Sequence, residues 1–321
     1  MKKYSLIGVA AASVLALSAC GTSAPSSSPA DSAAKTPTRV TVGVIPIVST
    51  APIFLGKEKG FFTDEGIDLT IETSGGGAAV VPAVIAGSYD FGYGNYTSVM
   101  LAREKGLDLK YIANGTTTAG DPDWQAVIVP INSPIKTPAD LAGKTVAVNQ
   151  LKNVNDTTIR SVVVADGGDE STIKFVEVAF PDAEAAVTNK QVDAAVVNPF
   201  LGVAAETALG NRVIMYNFSE FDPDLDISGY FTTGATIKDK PALVKAFTKA
   251  INKSLTYAQA HPEEARQIVT TYTKITADKL KDMPLPKWRT EINRDALKKL
   301  GAAGLKYGTL KAEPDLDAML P

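Results

Sequence analysis

VTVGVIPIVSTAPIFLGKEKGFFTDEGIDLTIETSGGG, residues 40–77, decides how the rest of the chain is read. VTVGV alternates apolar with small or polar residues and is rich in β-branched side chains, which predicts a strand. PIVST follows. Ser49 or Thr50 as N-cap, Pro52 in the first turn and Gly60 just past the end predict a short helix. Leu69–Thr73 predicts a second strand running into Gly75, Gly76 and Gly77, and a further helix, Ala78–Ala86, starts directly after that turn. Each strand therefore hands over to a helix whose first N–H groups have no partner inside the helix. In an open parallel sheet such junctions line up at the carboxyl ends of the strands, where these folds bind ligands. Either junction alone also reads as an ordinary βα turn.

Outward from this stretch, strand and helix signals keep alternating, which predicts an α/β fold. No repeat of 20–50 residues is visible, and the roughly 280 residues after position 38 exceed one average domain. Strands at Asp90–Tyr93 and Leu109–Ala113 complete a first lobe. After the turn GDPD, Gln125–Val129 reads as a crossover into a second lobe. That lobe holds TVAVN, a helix from Asp156 to Asp166, IKFVEV, DAAVVN and NRVIMY. Tyr230–Ile237 reads as the return crossover, adjacent to the first. From Pro241 the chain is helical to its end apart from PLPKW. The expected division is 39–124 with 236–321 as lobe I and 125–235 as lobe II, hinged at the two crossover strands.

APIFLGKEKGFFTDEGIDLTIETSGGG, VIAGSYDFGYGN and LAREKGLDLKYIA, followed by TPADLAGKTVAV, NPFLGVAAE and GYFTTGATIKDKPALVKAFTKAINKSLTYAQAHPEEA, run in this order from Arg39 to about Ile275. In that order and spacing the chain resembles the substrate-binding proteins of ABC importers for sulfonates, taurine, nitrate and thiamine precursors. The resemblance implies a two-lobed periplasmic-binding-protein fold of type II, a small ligand held between the lobes, and permease subunits as partners.

The N-terminus fits that destination. Lys2 and Lys3, an apolar run (LIGVAAASVLALSA) too short to span a membrane, and Leu17-Ser18-Ala19 before Cys20 make a signal peptide over residues 1–19. The only cysteine, Cys20, stands where a lipoprotein carries its acyl chains, which anchors the chain to the membrane without spanning it. Residues 20–38, rich in Ser, Pro, Ala and Thr, read as a flexible tether reaching roughly 25 Å. The expected location is the extracytoplasmic face of the cell membrane, with a Gram-positive surface favoured. Loss of Lys2 and Lys3 takes the 32 basic residues to 30 against 35 acidic, a net charge near −5. That balance argues against nucleic acid and against a basic membrane-docking face.

Catalytic readings find little support. The single histidine, His261, sits before Pro262 at a helix boundary, and the folded part has no cysteine, so neither a Cys/His nor a Ser/His arrangement fits. Synthases of the thiamine pyrimidine, which share the family resemblance, depend on His and Cys residues that this chain lacks. Gly143-Lys144-Thr145 ends like a P-loop, but Pro138 stands where the first glycine is required. Asp222, Asp224 and Asp226 have calcium-loop spacing, but Ile227 and Thr233 replace the glycine and glutamate such a loop needs. The chain is expected to be no enzyme, to hold no cofactor or metal, and to act as a monomer.

Binding candidates lie at the strand ends. Ser49, Thr50, Gly76, Asn95 and Tyr96 stand at the three junctions of lobe I, and Asn153, Asn155 and Asn198 at those of lobe II. Trp124 and Tyr230, at the crossovers, are expected to wall the ligand or to be core aromatics of the hinge. Helix N-termini and amide groups suit a small anion. The nearest cations are Lys152 and Arg160, so a single anionic head on an apolar or aromatic body is expected: a sulfonate, a taurine-like compound or an aromatic carboxylate. Asp156, read as the N-cap of its helix, opposes that choice. A neutral thiamine-precursor-like pyrimidine remains the alternative, and an enzyme of the same fold a weaker one.

Overall fold

The structure, a computed structural model, describes residues 36–197, 210–281 and 283–321, and Thr36–Pro321 form one compact unit. Cys20 and Asn198 lie outside the described residues.

Among the described residues, ten strands build two five-stranded sheets. Their ranges are β1 Thr38–Val44, β2 Ile67–Thr73, β3 Phe91–Asn95, β4 Leu109–Thr117, β5 Ala126–Pro130, β6 Thr145–Val148, β7 Lys174–Glu177, β8 Ala194–Val197, β9 Asn211–Met215 and β10 Asp226–Thr233. Sheet I has the order β2-β1-β3-β10-β4 and sheet II the order β7-β6-β8-β5-β9. β1 begins inside the expected tether: Thr38 pairs with Ile67, and its N–H donates to Gly66 O at 2.8 Å.

The two sheets share one plan. In sheet I, β1, β2 and β3 are parallel and β10 lies antiparallel between β3 and β4. In sheet II, β6, β7 and β8 are parallel and β5 lies antiparallel between β8 and β9. The antiparallel strand of each sheet is the first laid down after the chain crosses over. The parallel strands run toward the junction between the sheets, so a strand arriving from that junction must run away from it. This corrects the expectation that Gln125–Val129 and Tyr230–Ile237 are neighbouring crossover strands. They belong to different sheets, and Gly234–Ile237 is already helical. The chain crosses instead through residues 118–125 and 216–225, which meet where Thr118 N donates to Leu225 O at 3.1 Å.

Helices cover both faces of each sheet. α1 (Ala51–Glu58), α2 (Phe61–Asp64), α3 (Gly77–Ile85), α4 (Tyr96–Glu104), α5 (Val154–Ala165), α6 (Phe180–Thr188) and α7 (Asn217–Phe221) follow in chain order. After them come α8 (Gly234–Asp239), α9 (Pro241–Ala260), α10 (Pro262–Tyr272), α11 (Ala277–Leu280), α12 (Arg294–Lys306) and α13 (Leu316–Met319). Alternation along the strands divides the core. Val40, Val42, Phe91, Tyr93 and Tyr230 face Phe247 and Ile251 of α9, while Tyr111 and Phe231 point to the opposite face, toward α3 and α4. In sheet II, Ile128, Ala147 and Ala195 pack on α6, and Val127, Val129, Val146 and Val148 on the α5 side. The α3/α4 side of sheet I and the α5 side of sheet II belong to one continuous apolar core that also takes in Leu297 and Leu300 of α12.

Candidate functional site

Because β1, β2 and β3 run parallel, their carboxyl ends deliver residues 45–50, 74–77 and 95–98 to one edge of sheet I. The end of β4 and the start of β10 reach the same edge. In sheet II the end of β6 delivers residues 149–156, and Gln125 and Asn217 arrive beside it at the start of β5 and just beyond β9. The two edges face each other. Asn153 Nδ2 donates to Ser98 Oγ at 3.2 Å, and a Cβ on Gly76 would lie 2.9 Å from Gln150 Nε2.

Three helix N-termini meet there. α3 starts at Gly76–Gly77, and a Cβ on Gly77 would lie 2.9 Å from Gly94 Cα, so only glycine lets this turn rest on the end of β3. α4 is capped by Asn95, whose Oδ1 accepts from Ser98 N at 2.8 Å. α5 is capped by Asn153, whose Oδ1 accepts from Val154 N. Asp156 is therefore not the N-cap expected of it. It lies in the first turn of α5, and its Oδ2 accepts from Lys152 N at 2.8 Å.

Several of the expected contact residues have other bonds. Thr50 Oγ1 donates back to the Ile45 and Ile47 carbonyls, closing the turn before α1. Tyr96 is buried, and its hydroxyl donates to Asn114 Oδ1. Asn155 accepts from Gln125 Nε2 at 2.7 Å and Asn217 Nδ2 at 3.1 Å, and donates to Asn149 Oδ1, which ties both crossovers to α5. Tyr230 stands within β10 opposite Tyr93, its ring 5.1 Å from that of Tyr93, inside the core beneath α9. Trp124 packs against Phe218 of α7. Ser49 and Gly76 remain at the edge.

Among the described residues, the buried polar atoms without a hydrogen-bond partner include Ser49 Oγ, Thr97 Oγ1 and Gln150 Oε1 on the two edges, Asp156 Oδ1 beside them, and Asp123 Oδ2 with Trp124 Nε1 in the first crossover; others are Tyr230 Oη in the core and single atoms of Glu184, Asn211, Asn252, Arg266 and Arg289 elsewhere. Such atoms are rare in native proteins and call for a partner. Burial pushes the Asp156 carboxyl up to about 6, against the opposing pull of Lys152 N and the Arg160 charge. Burial likewise pushes Asp123 up to about 6, although Oδ1 accepts from Ala119 N and Trp124 N. None of the ion pairs among the described residues involves either carboxylate. Arg160 donates to Glu170 O and lies over the Phe175 ring, and Lys152 is exposed. Thr97, Asp123, Gln125, Gln150 and Asn217 were not among the residues expected here. Their placement depends on pairings between distant segments that no local pattern announces.

Other features lie elsewhere. His261 stacks on Tyr257 with its Nδ1 2.8 Å from Tyr257 O. Asp222 pairs with Lys299, Asp224 with Arg289, and Asp226 accepts from Asn114, Thr117 and Asn293, so the three aspartates face different partners. Among the described residues no helix is long and apolar enough to cross a membrane.

Residues 48–265 match the family described as NMT1/THI5 like. The formylaminopyrimidine-binding protein of Halalkalibacterium halodurans is 23% identical over 275 residues, covering 84% of this chain and 79% of that protein. The riboflavin-binding protein RibY of Chloroflexus aurantiacus is 24% identical over 283 residues, covering 83% of this chain and 77% of its own. Among solved structures, the alkanesulfonate-binding protein SsuA of Xanthomonas axonopodis pv. citri bound to MOPS superposes with a TM-score of 0.73 at 16% identity. That match covers 89% of this chain and 98% of SsuA.

Proposed function

The chain belongs to the NMT1/THI5-like family, and on that premise we propose that it is the extracytoplasmic solute-binding lipoprotein of an ABC importer. Residues 1–19 are removed as a signal peptide, Cys20 carries the lipid anchor, and the Ser/Pro-rich segment that follows spaces the fold from the membrane. Acting as a monomer, the two lobes take up a small organic molecule between their facing strand edges and present it to the permease. The observation that carries this reading is the meeting of the two strand edges, where Asn153 Nδ2 donates to Ser98 Oγ, with Thr97 Oγ1, Gln150 Oε1 and Asp156 Oδ1 buried near it without a hydrogen-bond partner among the described residues. A bound solute supplies the partners these atoms lack. Relatives named as binding proteins for a formylaminopyrimidine and for riboflavin support capture of a solute rather than its turnover.

The helix N-termini of α3, α4 and α5 support an anionic head, a sulfonate, taurine-like compound or aromatic carboxylate. The buried carboxylate of Asp156 supports a neutral pyrimidine-like ligand instead. Thermal unfolding of the purified chain with sulfonates, taurine, aromatic carboxylates, nitrate, aminopyrimidines, sugars and polyamines tests the reading. One chemical subset should raise the Tm, since a ligand at a hundred times its Kd stabilises the folded form by about 2.7 kcal/mol. In cells the wild-type chain should fractionate with membranes and Cys20→Ser should not. Shifts from no small molecule, or membrane retention of Cys20→Ser, would overturn the corresponding part.

A further inference from the structure

The turn that follows α12 touches both lobes. Thr309 Oγ1 lies 2.7 Å from Thr157 Oγ1 of α5, in lobe II. Two residues on, Lys311 N and Ala312 N donate to Glu104 Oε1 at the end of α4, in lobe I, at 2.6 and 2.9 Å. Leu310 between them is buried in the core that α4, α5 and α12 share. The bonds have a direction. A threonine hydroxyl has one proton, and that of Thr157 goes to Asn153 O at 3.1 Å, so Thr309 donates to Thr157. Asn153 in turn donates from Nδ2 to Ser98 Oγ in the first turn of α4. The contacts therefore close a circuit: α4 at Glu104, the turn 309–312, α5 at Thr157 and Asn153, and α4 again at Ser98.

The opposite side of the molecule is built differently. Among the described residues, the apolar cores beneath α9, beneath α10 and α11, and beneath α6 form separate groups, none of them shared between the lobes. There the Lys279 charge of α11 favours the ionised form of Glu184 on α6. None of the ion pairs among the described residues joins α6 to lobe I. Attraction between separated charges falls off gradually with distance, whereas hydrogen bonds and close-packed side chains are lost within a small displacement.

We infer that the turn 309–312 is a clasp that holds α4 and α5 together while the lobes move, so that the molecule opens on the α6/α11 side alone. This rests on the reading that the lobes part to admit a solute. Thr309 and Glu104 are the positioning residues of the clasp. A rotation about residues 118–125 and 216–225 spares these bonds when its axis runs close to them. α12 lies beside those crossovers, with Lys299 Nζ donating to Phe221 O at 2.6 Å and Asn293 Nδ2 to Asp224 O at 3.2 Å. The Glu104 carboxylate takes both N–H groups in charge-assisted bonds, stronger than neutral ones. Through Thr157 the clasp also fixes the first turn of α5, which carries Asn153 to the facing edge.

The test measures distances between paired spin labels in residues 20–321 carrying Cys20→Ser, which removes the only cysteine. One pair, Ala185→Cys with Ala277→Cys, spans α6 and α11. The other, Lys105→Cys with Val164→Cys, spans the far ends of α4 and α5, and all four positions are exposed. In the ligand-free chain the α6/α11 pair should show a second, longer population and the α4/α5 pair a single one. Thr309→Val combined with Glu104→Ala should give the α4/α5 pair a second population too, and Thr309→Ser, which keeps the hydroxyl, should not. Equal spread at the two pairs, a wider spread at the α4/α5 pair, or no change in the double variant overturns the inference. The comparison of the two pairs with the clasp intact does not depend on the double variant folding. A single narrow population at both pairs also overturns the inference, and leaves the binding reading to the thermal screen, which stands or falls on ligand-induced shifts.

Discussion

Asp123 is wholly buried where the chain leaves sheet I, with the Ala119 and Trp124 N–H groups on Oδ1 and Ser219 also bonding the carboxyl. Its carboxyl and that of Asp156 are raised by burial from 3.8 to about 6. Between those values the folded chain holds protons that the unfolded chain has released, so stability falls as pH rises through that window. The stabilising contribution is complete below about 3.8 and is lost above about 6, and two pKa units correspond to on the order of 2–3 kcal/mol per group. Urea unfolding of the ligand-free chain between pH 4.5 and 7.5 should therefore show Asp123→Asn gaining on the wild type as pH rises. A constant difference across that range would mean that Asp123 does not carry the buried charge. Only part of this was legible in the sequence. Asn95 and Asn153 read as contact residues because an Asn between a strand and a helix has the same signature whether it caps or binds, and both turn out to cap. Asp156 stood out because an acid at a helix start conflicts with an anion. Asp123 did not, since GDPD reads as a solvated turn until tertiary contacts bury it.

At the scale of elements, strand and helix positions followed from alternation and caps, because both are local: β1, β2, β3, β4, β6, β7, β8 and β9 overlap the expected runs, although β1 starts two residues earlier, at Thr38. Strand order is not local. That β5 and β10 lie in different sheets follows from the direction in which each enters from the junction, which no residue type encodes. Contact between α3 and β3 is equally non-local, and it rests on two glycines. The Cβ of Gly77→Ala would press on Gly94 Cα at 2.9 Å, where backbone cannot yield without shifting the end of the strand. Overpacking of this kind costs about 1–3 kcal/mol, and roughly 2–4 °C of Tm accompanies each kcal/mol at this chain length. Gly76→Ala would meet only the end of the Gln150 side chain, which can move. Gly77→Ala should therefore lower the Tm by several degrees and Gly76→Ala by little. Equal effects would show that α3 is not seated on β3 through this contact.

At the scale of the whole molecule, the segment after the family match at residue 265 holds the rest together. Trp288 Nε1 donates to Ser49 O, Lys287 exchanges backbone hydrogen bonds with Thr117, and Glu291 O accepts from Asn114 Nδ2. Farther on, Thr309 meets Thr157, and Lys311 N and Ala312 N donate to Glu104 Oε1. The sequence shows a helical tail here, and nothing in its periodicity says that the tail crosses both sheets' territory. The centre of this arrangement is Asp226, fully buried at the start of β10. Its Oδ1 accepts from Asn114 Nδ2 at 2.9 Å and Thr117 Oγ1 at 2.6 Å, and its Oδ2 from Asn293 N at 2.5 Å. Three donors, one from the tail and two from β4, converge on one carboxylate. Asp226→Asn leaves only one oxygen for them and turns an amide N–H toward another donor; Asp226→Ala leaves Thr117 Oγ1 and Asn293 N unpaired and Asn114 Nδ2 with Glu291 O alone. Breaking a buried hydrogen-bonded carboxylate network costs about 3–5 kcal/mol, so either substitution should lower the Tm by roughly 6–20 °C. Arg289→Ala serves as the contrast, since the Arg289–Asp224 pair is largely exposed and such pairs contribute about 0–1 kcal/mol. Limited proteolysis should cut the Asp226 variants first near residues 284–293, where the tail loses its hold on β4 and β10. If Asp226→Asn melts with the wild type and resists protease equally, the tail is held by its apolar contacts through α12 alone, and the buried carboxylate is incidental to it.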